Sequence, residues 1–127
     1  MATDVKRSVR LSARIAKEIA WALGREVRDP RVTMVTVTRV EMPDDLRAAR
    51  VYIRMLSGGE DENTRKEALK GLGRAAGMLR KVVSTRLGLR VVPELSFFYD
   101  EGQDDMTRIE QLLEEVKADE RKRPRST

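Results

Sequence analysis

The sequence predicts an α+β fold in which helices cover one face of a three-stranded sheet. The hydrophobic periods give the order helix, strand, strand, helix, broken helix, strand and an appended helix. Because three strands alone cannot bury a sheet face, the helices must pack against it as a second layer. A chain of 127 residues suffices for one such domain and not for two. We therefore expect one domain over residues 1–116 and a charged, disordered tail over residues 117–127.

The first helix is predicted over residues 5–28. At 100° per residue, one side is apolar and includes Leu11, Ile15 and Ile19. The helix should end just before Pro30, because a residue that precedes proline avoids the helical region. The opposite side is basic, with a tryptophan in its middle, and carries Arg7, Arg10, Arg14, Lys17, Trp21, Arg25 and Arg28.

Three strands follow from composition and alternation. Residues 32–41 are rich in Val and Thr, but their imperfect alternation predicts either burial on both faces or a bulge. Residues 49–56 alternate cleanly, and the turn at 43–45 joins the two strands into an antiparallel hairpin. The third strand is predicted over residues 91–99, with Leu95 and Phe97 on one face.

The second helical region begins with Thr64 and Glu67, which have the spacing of a capping box. Three glycines within seven residues predict a kink or break in it: Gly71, Gly73 and Gly77. Gly88 is a suitable C-terminal residue for the helix. A second capping box, Thr107 with Glu110, predicts the appended helix, which runs to residue 116.

The composition excludes several kinds of chemistry. The chain contains no cysteine and no histidine, so thiol nucleophiles, histidine triads and Cys/His zinc sites are excluded. Since no glycine-rich phosphate loop is present either, we expect no enzyme activity and no cofactor. The acidic residues at 100, 101, 104 and 105 match no metal-binding loop, and a solvated helix start explains them better.

The charge pattern favours a polyanionic partner. The net charge is +5, and the pI is near 9.9. Residues 63–93 carry eight basic groups and one acidic group, whereas residues 94–116 carry one basic and eight acidic groups. The basic residues of segment 63–93 flank the expected kink, where a phosphate backbone could approach. The candidate nucleic-acid contacts are therefore these basic residues together with two small residues at the kink: Arg74, Ala75, Gly77, Arg80, Lys81, Arg86 and Arg90.

Each of these features has a purely structural alternative. The seven residues named on the basic side of the first helix are further candidate nucleic-acid contacts, but this side could instead be an ordinary solvated face. Gly77 could admit a phosphate backbone, or it could allow tight helix packing. Trp21 could stack on a base or ribose, or it could cover a neighbouring segment. A membrane-surface role is disfavoured because the sheet needs the apolar face of the first helix, and no apolar run approaches the length of a membrane span.

Four ordered motifs carry a resemblance to a known family. They are VRDPR at 27–31, MVTVT at 34–38 with Val40, AAGMLR at 75–80, and RxxPxLxF at 90–97 running into YDE at 99–101. The chain resembles the ribosome-binding factor A family over about residues 5–116. Gly102 stands where we would expect serine, and the Arg-rich tail has no motif that we can match.

The resemblance implies a type II KH-like αββααβ domain, with Ala75-Ala76-Gly77 in place of the GxxG loop. It implies a non-enzymatic factor that binds the immature small (30S) ribosomal subunit and its 16S rRNA. From the residues themselves, the lack of cysteine, of a signal-peptide segment and of a membrane span favours a cytoplasmic protein, and since nothing indicates a dimer we expect a monomer. The resemblance also implies a role in late maturation of the subunit, including processing of the 5′ end of the rRNA, and in growth in the cold. It further implies release of the factor by an assembly GTPase. The alternative is a general KH-type RNA-binding protein or RNA chaperone that is not confined to the ribosome.

Overall fold

A computed structural model describes residues 6–102 together with Val116. The described elements follow the order expected from the sequence, with a single helix where a helix and a broken helix were expected. In chain order its elements are α1 (Arg7–Arg25), a 3₁₀ turn (Pro30–Val32), β1 (Val35–Glu41), β2 (Ala48–Met55), α2 (Glu62–Leu87) and β3 (Glu94–Tyr99). The appended helix and the tail, apart from Val116, lie outside the described residues.

The three strands form one sheet in the order β1-β2-β3. β1 and β2 are antiparallel, which confirms the predicted hairpin, and β2 and β3 are parallel. Val37 pairs with Ile53 and Arg39 pairs with Tyr52, so the intervening Thr38 has no partner in the register. The imperfect alternation of this strand therefore reflects a β-bulge.

The core lies between the sheet and the two helices, on one face of the sheet. All these elements contribute to it, and the apolar side chains with no exposed surface at all include Ile15, Ile19, Val51, Ile53, Leu72, Leu79 and Val83. Burial of each such side chain stabilises the fold by about 1.5–3 kcal/mol. The confirmed two-layer α+β fold thus leaves the outer sides of both helices available for contacts.

Helix α2 is one continuous helix of 26 residues, and the three glycines do not break it. Gly71 lies against the 3₁₀ turn, where an added Cβ would come within 3.0 Å of a Val32 methyl group. At Gly73 and Gly77 an added Cβ would meet nothing within 4 Å. Packing on the sheet and the 3₁₀ turn therefore holds a helix that propensity alone would weaken.

The N-terminus of α2 differs from the prediction. The helix begins at Glu62, and Asp61 is its cap, so the capping box at Thr64 is wrong. The Asp61 carboxylate accepts hydrogen bonds from the Thr64 hydroxyl at 2.7 Å and from the Asn63 backbone N–H at 3.1 Å. These bonds lower the pKa of Asp61. The C-terminus is as predicted, because Gly88 takes the left-handed conformation with φ of 64°.

The segment between α1 and β1 is organised by Asp29. Its carboxylate caps the 3₁₀ turn by accepting the Arg31 backbone N–H at 2.9 Å, and it also accepts two side-chain N–H groups of Arg31 at 2.6 and 3.0 Å. These bonds lower the pKa of Asp29 to about 2. The turn also explains why β1 begins at Val35 and not at residue 32.

Among the described residues, no helix has the length and hydrophobicity that a membrane span requires.

Candidate nucleic-acid interface

The outer face of α1 is a stripe of exposed cations. Its first half carries four basic side chains at intervals of three, four and three residues, which places them on one side of the helix: Arg7, Arg10, Arg14 and Lys17. The opposite side buries Ile15, Ile19 and Ala22 in the core. The amphipathic pattern predicted this division correctly, and the stripe is positioned by the same packing that builds the fold.

The C-terminal halves of α1 and α2 lie side by side. Arg86 on α2 donates to the carboxylate of Glu18 on α1, and its guanidinium carbon lies 4.0 Å from the centroid of the Trp21 ring. Further along, Glu26 and Met78 line the same depression. The two helices therefore run antiparallel here, and two basic clusters that are far apart in the sequence meet on one surface.

Trp21 is half-buried between the two helices and packs against the core. A second cation, the Arg25 guanidinium, lies 5.4 Å from its ring centroid. Such cation–π contacts are worth about 0.5–1 kcal/mol each at exposed sites. Trp21 therefore covers part of α2, which is one of the two roles considered for it.

A shallow depression of about 360 Å³ opens beside Trp21. Its walls come from both helices and combine apolar surface with a charged rim: Trp21, Glu26, Met78, Lys81, Val82, Thr85 and Arg86. Met78 is 41% exposed in it. Met78 is not among the contacts predicted from the sequence, although its helical spacing to Lys81, Val82 and Thr85 places all four on one face of α2.

The small residues of the Ala75-Ala76-Gly77 segment have different surroundings. Gly77 is exposed, and because an added Cβ would meet nothing within 4 Å, protein packing does not require glycine there. The tight packing that was one alternative for Gly77 is found at Gly71 instead. Ala75 is only 8% exposed and belongs to the core. Gly77 can therefore face a ligand, whereas the Ala75 side chain cannot.

The remaining candidate cations fall into two groups. Arg80 is half-buried, and its guanidinium donates to the backbone carbonyls of Val92 and Pro93, both at 3.1 Å. It thereby fixes the segment that leads into β3. The others are exposed: Arg25, Arg28, Arg74, Lys81, Arg86 and Arg90. Nothing in the sequence separates Arg80 from these residues, because its acceptors are main-chain atoms.

The two ends of α1 have different neighbours. Near Arg7, the Lys6 ammonium lies 3.7 Å from the Asp44 carboxylate in the hairpin turn, and the Ser8 hydroxyl donates to the same residue at 3.2 Å. Arg7 therefore lies next to the hairpin turn, away from α2. The surface that unites the two clusters is centred on the C-terminal halves of the helices, around Trp21. We call it the α1–α2 face.

The acidic residue Asp100 has a structural role. It is buried, and its carboxylate accepts hydrogen bonds from the Thr38 hydroxyl and the Arg39 guanidinium, both at 2.7 Å, and from the Gly102 N–H at 3.1 Å. Burial by itself would raise the pKa of Asp100, but these bonds and the charge of Arg39 together lower it. The acidic residues at 104 and 105 lie outside the described part of the chain.

The chain is similar to known proteins both in sequence and in fold. The family model described as ribosome-binding factor A matches residues 7–113. A curated protein from Sorangium cellulosum with that name is 49% identical over 117 residues, which are 92% of this chain and 94% of the relative.

Two structures of relatives show the same fold. The solution structure of a Thermotoga maritima protein, described as a putative ribosome binding factor A, is 34% identical and superposes with a TM-score of 0.65 over 82% of this chain and 96% of that one. The second is a homology model of the Thermus thermophilus ribosome binding factor A, fitted into a cryo-EM map of a 30S complex. It is 26% identical, with a TM-score of 0.61 over 75% of this chain and 97% of that one.

Proposed function

Because the chain belongs to the ribosome-binding factor A family, we propose that it is an assembly factor that binds the small (30S) ribosomal subunit. The observation that carries this proposal is the α1–α2 face, on which two basic clusters meet around Trp21. The relative from Thermus thermophilus, which shares the fold, has been placed in a complex with that subunit. The proposal concerns binding, without a catalytic step.

The α1–α2 face has the properties that a phosphate backbone requires. Arg10, Arg14 and Lys17 project from one side of α1 at helical spacing, so neighbouring cations are about 5–6 Å apart at their Cβ atoms. Exposed Gly77 offers a place where the RNA backbone can approach the helix without meeting a Cβ atom. Phosphate contacts of this kind fix position and orientation, while specificity for 16S rRNA would come from RNA shape.

The finer functions are part of the same proposal. We infer that the protein acts in the cytoplasm as a monomer, during late maturation of the subunit, including processing at the 5′ end of 16S rRNA. Support for growth in the cold and release by an assembly GTPase follow from the family and complete the proposal. A general KH-type RNA-binding protein or RNA chaperone is the alternative, since the same cations would bind any RNA by counterion release.

Co-sedimentation tests the proposal. The full chain is mixed with purified small subunits, with whole ribosomes and with an unrelated structured RNA, each at two salt concentrations. We expect retention on small subunits that persists at the higher salt. Equal binding to all three, lost steeply with salt, would instead support the general RNA-binding alternative.

A matched pair of double variants locates the interface. Arg14→Gln with Lys17→Gln removes two charges from the α1–α2 face, and Arg47→Gln with Arg50→Gln removes two exposed charges from the hairpin. If both α1 cations contact phosphates, the first pair should reduce the slope of log K against log salt by about 1.5, and the second should leave it unchanged. The reverse result would move the interface to the hairpin.

A further inference from the structure

The depression beside Trp21 differs from the rest of the α1–α2 face because its walls are apolar. The Trp21 ring, the Met78 thioether and Val82 form these walls, while Lys81 and Arg86 stand at the rim. We propose that this depression receives a single unstacked nucleobase of the bound RNA. The proposal rests on the proposed function, since it adds a base-binding site to a surface that otherwise contacts phosphates.

The size and shape of the depression suit a base. Its volume of about 360 Å³ lies within the range of small-ligand pockets, about 300–1,000 Å³. One wall is an indole with a guanidinium stacked at 4.0 Å, and the 41% exposed Met78 provides apolar surface. Unpaired bases in RNA complexes are held by stacking on aromatic rings and on arginine planes. The Arg86 guanidinium covers the ring face that it contacts, so the base would lie against the guanidinium plane and the exposed part of the indole.

The charges around the depression favour a nucleic acid over an apolar protein side chain. Lys81 at the rim and Arg25 next to Trp21 are both exposed, and the cations of α1 continue from there. A base in the depression would place its own flanking phosphates near these side chains. A neutral peptide would gain nothing from them.

Glu26 adds a preference among the bases. It lies at the rim of the depression, and an ionised carboxylate can only accept hydrogen bonds. Bases that carry an exocyclic amino group can donate to it, as cytosine does to acidic side chains in protein–DNA complexes. We therefore expect adenine, guanine or cytosine to be preferred over uracil.

The sequence provides a direct probe, because Trp21 is the single tryptophan of the chain. The full chain is titrated at low salt with a short strand of abasic residues that contains one central adenosine, and with the same strand carrying an abasic residue at that position too. We expect the intact strand to quench Trp21 emission and to bind about tenfold more tightly. This ratio corresponds to 1.4 kcal/mol, within the range of base–aromatic stacking.

Two variants separate the base from the phosphates, with binding followed by anisotropy of labelled strands. Trp21→Leu keeps an apolar side chain against α2 but should abolish the difference between the intact and abasic strands. Arg10→Gln, on α1 outside the depression, should weaken both strands equally and preserve their ratio. Circular dichroism checks that both variants remain folded.

Several results would overturn the proposal. Equal affinity of the wild-type chain for the two strands would do so, as would unchanged Trp21 emission with both. If Trp21→Leu weakened binding to small subunits while the strands were never distinguished, the depression would be a site for a protein side chain. If the wild-type chain did not bind small subunits but still distinguished the intact strand from the abasic one, the proposed function would be contradicted and the base site would remain.

Discussion

Asp100, the residue after β3, accepts a 2.7 Å hydrogen bond from the hydroxyl of Thr38, the extra residue of the bulge in β1. The two strands are not neighbours, because β2 lies between them. The backbone N–H of Asp100 donates to the Ile53 carbonyl on β2 at 2.7 Å. One buried aspartate thus connects all three strands at one end of the sheet, and it holds the bulge in place.

Thr38→Val should destabilise the fold by about 1–3 kcal/mol, because the buried carboxylate of Asp100 loses a hydrogen-bond donor. Thr38→Ser keeps the hydroxyl and should cost much less. Urea denaturation of the two variants measures the difference. Equal stability of Thr38→Val and the wild type would show that the bond does not hold the bulge.

Acid should destabilise the protein through Asp29. Arg31 lowers the pKa of this carboxyl from 3.8 to about 2 in the folded chain, so between these values the unfolded chain binds more protons. The contribution of Asp29 to stability is therefore complete above about pH 4 and is lost as the pH falls through about 2. The difference in unfolding free energy between the wild type and Asp29→Asn should shrink over this range. An NMR titration midpoint for Asp29 near 4 would contradict the expectation.

Gly71 and Gly73, two residues apart in α2, should respond to alanine in opposite directions. At Gly71 the new Cβ would come within 3.0 Å of Val32 and 3.2 Å of the Asp29 carboxylate, so we expect a loss of stability of about 1 kcal/mol or more. At Gly73 it would meet nothing within 4 Å, and the higher helix propensity of alanine should raise stability by up to about 1 kcal/mol. Thermal unfolding of the two variants distinguishes packing from propensity.

Substitution of Arg80 should lower the stability of the fold, whereas substitution of the neighbouring Lys81 should weaken binding to small subunits. Arg80→Met removes two hydrogen bonds to the carbonyls of Val92 and Pro93, and we expect a loss of about 1–3 kcal/mol in stability. Lys81 is exposed, so Lys81→Met should change stability by less than about 0.5 kcal/mol while weakening retention on small subunits. Denaturation and co-sedimentation of both variants test this division. A stable Arg80→Met protein with weakened binding would return Arg80 to the interface.

The features that follow from periodicity were predictable from the sequence. The hairpin, the buried side of α1, and Leu95 on the inner face of β3 depend on the alternation or helical spacing of apolar residues. The bulge was also indicated by the sequence, because the alternation of apolar residues is interrupted around Thr38.

The features that depend on single long-range contacts were not predictable in the same way. The start of α2 is a local exception, since Asp61 caps the helix through Asn63 and Thr64 and the spacing of Thr64 with Glu67 was misleading. The glycines suggested a break, but the contact of Gly71 with Val32 is invisible in the sequence. Arg80 could not be distinguished from Lys81, since its acceptors are carbonyls of a distant segment. The α1–α2 face itself required the pairing of Glu18 with Arg86.

The parallel pairing of β2 with β3 has a consequence for the synthesis of the protein. β2 can pair with β1 across a short turn, but its other edge remains open until the 26 residues of α2 and then β3 have been translated. A nascent chain that stops before residue 94 therefore carries a central strand with one unpaired edge, the kind of edge that recruits other chains. Docking of β3 is the step that closes this edge, and we expect it to come late because it pairs Ala48 with the distant Glu94.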